Sequence, residues 1–360
     1  MTKQPRNSEA LENPFQAAGL SLGAPTTNPS KECDLCCKTT YRTLCRQDRH
    51  GNPLETAICD HCGLISHAKI PTEAELSDFY AHRYRKSYHG QAELSPRRIM
   101  RAWKKGQRVH GDLAKFLPRS TRLFEVGAGL GCTIKIFELD GFETSGIEPG
   151  RSFQNFAQEK ILASVSSESL FDLPPIPQFD VILLIHVIEH FASPRRALKA
   201  IHQLLHPGGQ LYVECPNVAG YFATPKRWFH YAHVHNFTPW TLTALAKECG
   251  FEVHQRWGND ESANLKYLLT RSSTPSQGID VEELTKSGFE KTIEALKDRS
   301  FTAYHFRKSY LKERAKKLQR YLVEMTQAKR FVQSIVTMCQ EVEANRVDPT
   351  PLPTPLRRAA

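Results

Sequence analysis

The sequence lacks two features that mark membrane-inserted and secreted proteins. None of its apolar runs approaches the ~20 residues that a membrane-spanning helix needs. Its first residues, MTKQPRNSEALENPFQ, contain no apolar core of the secretory kind. Residues 1–30 are rich in Asn, Pro, Ser, Thr and Gly and show no apolar periodicity, so we expect a disordered leader. These absences predict a cytoplasmic protein.

Acidic residues are outnumbered by basic ones. The 360 residues include 48 Lys and Arg against 38 Asp and Glu, which gives a formal net charge of +10. Such an excess favours an anionic partner: a nucleotide-linked substrate, a nucleic acid or a membrane surface. The basic residues concentrate in Arg83 to Arg108 and in Lys297 to Arg330. For the second concentration, the pattern favours a solvated helix face over a binding surface.

Four of the ten cysteines form two CxxC pairs. CDLC and CDHC are separated by 22 residues and supply the candidate ligands Cys33, Cys36, Cys59 and Cys62. Four thiolates on two tight turns suit tetrahedral zinc, and a closed four-sulfur site stabilises a fold without catalysing. A disulfide or coincidence is the alternative, and His50, His61 or His67 could substitute as ligands. The pattern predicts a structural zinc module over residues 31–70 in a reducing compartment.

Residues 71–117 form a predicted helical connector. Pro71, Thr72 and Glu73 open a short helix, and a second helix runs from about Pro96 to Leu117. Between them lies an aromatic and basic cluster: Tyr80, His82, Tyr84, Arg85 and Tyr88. Interleaved Tyr and Arg suit stacking on a sugar or base as well as ordinary packing.

Residues 118–272 alternate between strand and helix patterns. Apolar segments predict strands at LFEVG, ETSGIE, residues 161–165, FDVILLIH and QLYVECP. Helices are expected over Cys132 to Leu139, Ser152 to Lys160, and from Pro194 to the HPGG of residues 206–209. FEVHQRWG and NLKYLLTR then form an antiparallel pair. The prediction is an α/β, Rossmann-like, doubly wound sheet of seven strands whose last pair is antiparallel.

A glycine turn follows the first of these strands. LFEVGAGLG places Gly127, Gly129 and Gly131 at alternate positions, where a parallel sheet binds ligands beyond its carboxyl edge. Glu148 ends the second strand, where a carboxylate can accept both hydroxyls of a ribose. The spacing GxGxG departs from the GxGxxG of dinucleotide binders.

The ordered motifs EVGAGLG, GIEPG, FDVILLIHVIEHFASPRRAL and LLHPGGQLYVECPN resemble those of class I S-adenosylmethionine-dependent methyltransferases. The resemblance covers roughly residues 122–251. It implies that the methionine part of the cofactor lies against Glu125, Gly127, Ala128, Gly129 and Gly131. It further implies that Glu148 binds the ribose, that Ser167 or Glu168 lies near the adenine, and that His186 faces the methyl donor.

The layout of residues 33–251 is similar to that of methyltransferases acting on nucleotide-linked deoxysugars and of related polysaccharide-pathway enzymes. The shared features are the CxxC module, the PTEAEL segment with its Tyr-rich tail, and the methyltransferase core. Two features differ: CDLCC has no glycine after its second cysteine, and the C-terminal third reads as helices where those enzymes carry another α/β domain.

Methyl transfer to a hydroxyl or an acidic carbon needs a base, and histidines are the candidates. They come from HVIEH, with His186, Glu189 and His190, and from HYAHVHNF, with His230, His233 and His235. A structural or capping role is the alternative for each, and the resemblance favours it for His190. We predict His186 and His235 on the acceptor side, with Tyr221 as an orienting hydroxyl.

Residues 281–346 are predicted to form a helical extension after a STPSQG linker, before a flexible Pro-rich tail over 347–360. A seven-residue repeat joins Leu311, Leu318, Met325 and Val332, with Ala315 and Leu322 between them. The repeat is compatible with self-association through a coiled coil or with packing on the chain's own catalytic domain.

The sequence therefore predicts an S-adenosylmethionine-dependent methyltransferase that O- or C-methylates a sugar, nucleotide-sugar or glycan. A small phenolic or lipid acceptor is the alternative within the same chemistry. Two other readings remain: a zinc-containing nucleic-acid-binding protein, which lacks a recognisable reading helix, and a scaffold with an inactive methyltransferase fold.

Overall fold

A computed structural model of the chain describes residues 20–80, 94–221, 223–224, 227–272, 281–297, 299 and 301–345. Within these ranges the strands form one sheet of five strands and one of seven. The predicted linker, the Pro-rich tail and four members of the aromatic cluster, His82, Tyr84, Arg85 and Tyr88, lie outside the described residues. Among the described helices, none combines the length and apolar composition that a bilayer crossing requires.

The smaller sheet contains the two CxxC pairs. Its antiparallel strands are β1 (Thr26–Thr27), β2 (Thr40–Gln47), β3 (Pro53–Cys59) and β4 (Ile65–His67). Leu20 is buried, and Thr26 and Thr27 pair with Tyr41 and Thr40. The disordered leader predicted over residues 1–30 therefore ends earlier than expected, because Leu20 is buried and Thr26 and Thr27 pair with β2.

Two helices connect the sheets: α1 (Glu73–Asp78) and α2 (Pro96–Leu113). Thr72 begins α1 with a capping box, in which its hydroxyl accepts from the Glu75 amide while the Glu75 carboxylate accepts from the Thr72 amide. Pro96 occupies the first turn of α2, where its missing N–H costs nothing. The buried face of α2 carries Trp103 and Val109 into the core.

The larger sheet confirms the predicted doubly wound topology. Its strands are β5 (Arg122–Val126), β6 (Glu143–Ile147), β7 (Val165–Ser166), β8 (Phe179–Ile185), β9 (Leu205–Pro216), β11 (Phe251–Arg256) and β12 (Asn264–Arg271). They lie in the order β11-β12-β9-β8-β5-β6-β7. Strands β5 to β9 are parallel, and β12 is antiparallel to both of its neighbours.

Helices cover both faces of this sheet: α3 (Cys132–Leu139), α4 (Arg151–Glu159), α5 (Pro194–Leu204) and α6 (Pro239–Glu248). Two separate apolar clusters form the core on the two sides. Helix α5 ends at Leu204, earlier than the HPGG predicted to close it, because residues 205–209 already belong to β9. Strand β10 (His235–Asn236) leaves this domain and pairs with β4 of the smaller sheet.

The C-terminal residues are helical, as predicted. They form α7 (Val281–Thr285), α8 (Gly288–Lys297), α9 (Phe301–Phe306) and α10 (Tyr310–Ala344). The second half of α10 packs on the large domain, where Ile335 and Cys339 join the core beside α2 and α3. The first half leaves Leu311 and Leu318 exposed at 78% and 61%. Packing on the chain's own domain therefore accounts for only one part of the seven-residue repeat.

Candidate cofactor and acceptor site

The glycine turn between β5 and α3 stands at the carboxyl edge of the parallel strands. Gly127, Gly129 and Gly131 all have positive φ, at 70°, 56° and 68°. A Cβ on Gly127 would lie 2.6 Å from Val187 Cγ2, and one on Gly131 would lie 2.8 Å from Ala157 Cβ. A Cβ on Gly129 would meet no described atom within 4 Å. Packing thus accounts for the outer two glycines, whereas the middle one borders open space that a ligand can occupy.

Glu148 fastens this turn to the end of β6. One carboxylate oxygen accepts from the Gly129 amide at 2.8 Å, and the other accepts from the Gly150 amide at 2.7 Å. Burial raises the pKa of Glu148, and the two amides oppose that rise. A carboxylate offers about four lone-pair sites, so the two amides leave capacity for hydroxyl donors such as those of a ribose.

Glu125, near the end of β5, is a buried carboxyl, and one of its oxygens accepts no hydrogen bond from the described residues. It is 2% exposed, and its Oε2 contacts no hydrogen-bond donor among the described residues. Burial raises its pKa to about 8, against the opposing influence of Lys105 and Thr133. A cationic donor would satisfy this oxygen, and the ammonium group in the methionine part of S-adenosylmethionine is such a donor. The residues present therefore fit that cofactor.

The remaining residues expected near the cofactor lie along the same edge. The Ala128 amide donates to the Ile147 carbonyl at 2.9 Å, which holds the glycine turn against β6. Ser167 and Glu168 follow β7, whose Ser166 carbonyl accepts from the Glu148 amide at 2.9 Å. The topology therefore brings the Ser167 and Glu168 segment beside Glu148, at the place where the resemblance expects the adenine.

His186 follows β8 and lies between two carboxylates. Its Nδ1 is 3.6 Å from Glu189 Oε1, and its Nε2 is 3.6 Å from Glu214 Oε1. Burial alone would lower the pKa of His186, but the two carboxylates outweigh it and raise the pKa to about 9. The backbone is left-handed here, with φ 57°, which is uncommon for a residue with a side chain and typical of functional sites.

Two residues near His186, Glu214 and Arg108, were not among the site residues predicted from the sequence. Glu214 Oε2 accepts from Arg108 at 2.6 Å and from the Tyr212 hydroxyl at 3.1 Å. Burial would raise the pKa of Glu214, but His186 and Arg108 hold it well below its usual range. An acidic residue within the apolar strand LYVECP was the available signal for Glu214. Arg108 gave none, because it sits among many basic residues of α2.

The structure does not bring His235 and Tyr221 together with His186. His235 lies in β10, 2% exposed, with its Nε2 3.1 Å from the Ala192 carbonyl. Its pKa is lowered to about 4 by burial. The Tyr221 ring instead lies under the Arg299 guanidinium, 3.9 Å from the ring centroid. Within the described ranges, no hydrogen bond, ion pair or ring contact joins either residue to His186.

The four predicted metal ligands converge in the smaller sheet. The Sγ atoms of Cys33 and Cys62 are 3.4 Å apart, those of Cys36 and Cys59 are 3.5 Å apart, and all four lie within 4.8 Å of one another. No disulfide joins them, since a bonded pair would be ~2.05 Å apart. Tetrahedral zinc with Zn–S bonds of ~2.3 Å places sulfurs ~3.8 Å apart, so the four thiols fit that ion.

The cysteine module also fixes the histidine segment that follows β9. The His67 amide donates to the Val234 carbonyl at 3.0 Å, next to the pairing of His235 with Ser66. Asp34, between the first two cysteines, accepts from the Ser193 hydroxyl and the Arg195 amide at 2.6 and 2.7 Å. The module thus contacts both the segment after β9 and the start of α5.

The sheet order, the glycine turn and the two carboxyls at the ends of β5 and β6 define a Rossmann-like domain of the class that binds a nucleoside-containing cofactor. Comparison with known proteins makes this assignment more specific. Residues 90–256 match the family model described as "Methyltransferase domain".

Curated relatives match only part of this chain. The ubiquinone biosynthesis O-methyltransferase of Pseudomonas syringae pv. tomato is 29% identical over 104 residues, which are 27% of this chain and 44% of that protein. An uncharacterized protein of Mycobacterium tuberculosis is 30% identical over 118 residues, 29% of this chain and 39% of that protein. The chain therefore spans less than half the length of these relatives.

Solved structures with similarity to the chain include two methyltransferases. The magnesium protoporphyrin IX methyltransferase of Synechocystis PCC 6803 covers 56% of this chain and 100% of its own, at 13% identity and a TM-score of 0.44. The 1,6-didemethyltoxoflavin-N1-methyltransferase of Burkholderia thailandensis covers 61% of this chain and 96% of its own, at 16% identity and a TM-score of 0.43.

Proposed function

We propose that this chain is an enzyme that transfers a methyl group from S-adenosylmethionine to an oxygen or carbon atom of a small-molecule or glycan acceptor. The observation that carries the proposal is the position of two buried carboxyls, Glu125 and Glu148, beside a glycine turn whose middle residue has no described atom within 4 Å of its Cβ position. The match of residues 90–256 to a methyltransferase domain supports the same activity.

The cofactor, when bound, supplies an electrophilic methyl group on its sulfonium sulfur, and the chain's own residues position the reactants. Glu125 would bind the ammonium group, and Glu148 would bind the ribose hydroxyls. Ser167 and Glu168 would border the adenine. His186, held between Glu189 and Glu214, would orient the acceptor at the methyl end of the site. His235 and Tyr221 are further candidates for the acceptor side, and Tyr221 would act through its hydroxyl.

Two classes of acceptor, sugars and phenolic or lipid-linked compounds, can be tested separately. The similarity of layout to sugar methyltransferases favours a sugar, a nucleotide-linked sugar or a glycan of a polysaccharide pathway. The curated relatives named ubiquinone biosynthesis O-methyltransferases suggest a phenolic or lipid-linked acceptor instead. A structural zinc ion at the four cysteines would stabilise the module next to the acceptor side in either case.

Calorimetry with S-adenosylhomocysteine tests the cofactor, and transfer of a labelled methyl group into sugar and phenol panels tests the acceptor. We expect binding that Glu148→Ala weakens and that the surface change Glu159→Gln leaves intact. The absence of binding by the unmodified chain would refute the cofactor assignment. Binding without transfer to either panel would favour the inactive-scaffold reading.

A further inference from the structure

A buried carboxylate on the acceptor side has no hydrogen-bond donor within the part of the chain that the structure describes. Glu189 lies in the 3₁₀ turn Ile188–His190 after β8 and is 1% exposed. Neither of its side-chain oxygens contacts a donor among the described residues. His186 lies 3.6 Å from Oε1, which is longer than a hydrogen bond. Because a buried carboxylate that accepts no hydrogen bond is costly, this position favours a bound cation.

Two imidazoles face the same carboxylate. His190 Nε2 is 3.8 Å from Glu189 Oε1, and His233 Nε2 is 3.9 Å from the same oxygen. The Nδ1 of His190 hydrogen bonds to the Ala232 carbonyl, which can only accept. This bond places a proton on Nδ1, so Nε2 is the ring nitrogen whose lone pair can bind a metal ion, and it faces Glu189. A lone pair and a carboxylate that face each other without a hydrogen between them suit a bound metal ion.

We propose that Glu189, His190 and His233 form a second metal site that binds a divalent transition metal, with zinc as the reference ion. The three ligand atoms lie within 4.8 Å of one another, so closure by a few tenths of an ångström brings each to about 2.1 Å from a central ion. Two imidazoles and one carboxylate are a donor set that zinc and iron(II) favour over magnesium.

Three protein ligands leave coordination positions open, in contrast to the four cysteines. The site adjoins His186, so an open position would face the acceptor. Resting on the proposed function, its role would be to bind and orient an oxygen-bearing acceptor, such as a diol or a phenol, beside the methyl donor.

The elements around the site give it a defined geometry. Glu189 and His190 come from the turn after β8, whereas His233 comes from the segment between β9 and β10. The backbone amide of His233 donates to the His230 carbonyl at 3.0 Å, and the Tyr80 hydroxyl donates to the Ala232 carbonyl at 3.3 Å. The Ala232 carbonyl orients the His190 ring, and a second hydrogen bond from Tyr80, just after α1, holds this carbonyl in place.

Metal titration of the full chain tests this site without cofactor or acceptor. After loading with zinc and desalting, calorimetry with ZnCl₂ should detect one further equivalent beyond the cysteine-bound ion, or about two zinc ions per chain in all. Glu189→Gln and His233→Gln should each weaken this further equivalent by at least about 100-fold, since even outer partners of metal ligands contribute 10- to 100-fold.

His202→Gln is the matched control, because His202 lies in α5 near Gly250, outside the cluster. It should bind both equivalents. Zinc retained at the four cysteines shows that each variant is folded. A wild-type chain that binds only the cysteine equivalent, or variants that bind the second as wild type does, would overturn the proposal.

The role of the metal is measured separately from its binding. Added zinc should lower the KM for an oxygen-bearing acceptor and leave the affinity for S-adenosylhomocysteine unchanged. Failure of all methyl transfer would contradict the proposed function while the metal titration still stood. A bound second metal with an unchanged acceptor KM would contradict only the acceptor role.

Discussion

Two buried carboxyls at neighbouring strand ends differ in what surrounds their oxygens. Both oxygens of Glu148 accept from backbone amides, so this residue shapes the glycine turn before any ligand arrives. Glu125 has one oxygen that no donor of the described ranges reaches, and burial raises its pKa to about 8. In the proposed complex the ammonium group of the cofactor supplies a cation to Glu125, which links cofactor binding to the ionisation of that side chain.

We expect the affinity for S-adenosylhomocysteine to rise with pH. In the proposed complex the ammonium group binds the ionised Glu125, and this residue is mostly protonated in the free chain below its pKa of about 8. Binding between pH 6 and 8 then releases up to one proton, so affinity increases by up to about tenfold per pH unit and levels off above pH 8. Calorimetry in buffers of different ionisation enthalpy measures both the slope and the proton release.

Glu125→Gln should flatten this pH profile, and the surface change Glu159→Gln should preserve it. Ionisation of Glu125 also makes the stability of the free chain depend on pH. Because folded Glu125 holds its proton more tightly than the unfolded residue does, its contribution to the free energy of unfolding falls as pH rises from 4.5 to about 8. A flat profile in the wild type would remove Glu125 from the ammonium site.

Alanine substitutions at Gly129 and Gly127 should differ in their effects: the first should mainly weaken ligand binding, and the second should mainly lower stability. Gly129→Ala introduces a left-handed alanine, at a cost of about 1–2 kcal/mol, but no clash with described atoms. Its methyl group enters the ligand space, so we expect the affinity for S-adenosylhomocysteine to fall at least about tenfold. Denaturant unfolding and calorimetry measure the two effects.

Gly127→Ala has the same left-handed backbone but also forces its methyl group against Val187. Overpacking adds about 1–3 kcal/mol, so this variant should lose more stability than Gly129→Ala. Gly129→Ala with wild-type affinity would show that the ligand does not approach the middle glycine.

Residues that are close in sequence were predictable, and residues assembled from several elements were not. Glu125, the three glycines and Glu148 follow from one turn and one strand end, because strand geometry fixes their spacing. The neighbours of His186 come from β9 and α2, so no local pattern joins them. His235 was predicted on the acceptor side because HYAHVHNF follows the fifth parallel strand, but the structure places it in β10, where it pairs with Ser66 of β4.

Helix α10 behaves differently along its length. Ile335 and Cys339 are buried against the large domain, whereas Leu311, Leu318, Leu322 and Met325 are 78%, 61%, 56% and 57% exposed. The seven-residue repeat predicted one apolar face but could not identify what covers it, since periodicity defines a face and not its partner. Self-association through the exposed half stays a prediction.

Paired substitutions in α10 separate intramolecular packing from self-association. Ile335→Ala should reduce the free energy of unfolding by about 2–5 kcal/mol, because it leaves a cavity in the core. Leu318→Ala should change it by less than about 0.5 kcal/mol in a monomer. Denaturant unfolding at two protein concentrations and light scattering supply the measurements.

If the exposed half of α10 pairs with a second copy, Leu318→Ala will also lower the mass and make stability depend on concentration. Equal destabilisation by the two variants in a monomer would contradict the exposed position of Leu318. Equal stability of Ile335→Ala and wild type would contradict the packing of the second half.

At the scale of the whole molecule, the cysteine module and the large domain are built into each other. Residues 31–70 were predicted to form a separate unit, yet β10 of the large domain completes its sheet. Helix α8 closes over the second CxxC turn, where the Gly288 carbonyl would lie 2.3 Å from a Cβ on Gly63. Trp240 of α6 donates to Thr292 of α8 at 2.9 Å. Sequence order suggested separate modules because these pairings join distant segments.

Loss of the zinc ion proposed at the four cysteines should therefore disturb the acceptor side more than the cofactor side. Cys59→Ser removes one of the four proposed ligands, and we expect loss of the proposed zinc, a lower Tm and a higher acceptor KM. The affinity for S-adenosylhomocysteine should change less than about threefold, or under about 0.7 kcal/mol, because the glycine turn belongs to the other sheet. Elemental analysis, thermal unfolding and calorimetry provide the three readouts.

Cys45→Ser is the matched control, since Cys45 lies in β2 outside the cluster, and it should retain the zinc. A zinc-free chain with an unchanged Tm would refute the structural role of the metal. Equal loss of cofactor affinity and acceptor affinity would show that the two sheets fold as one cooperative unit and do not serve the two ligands separately.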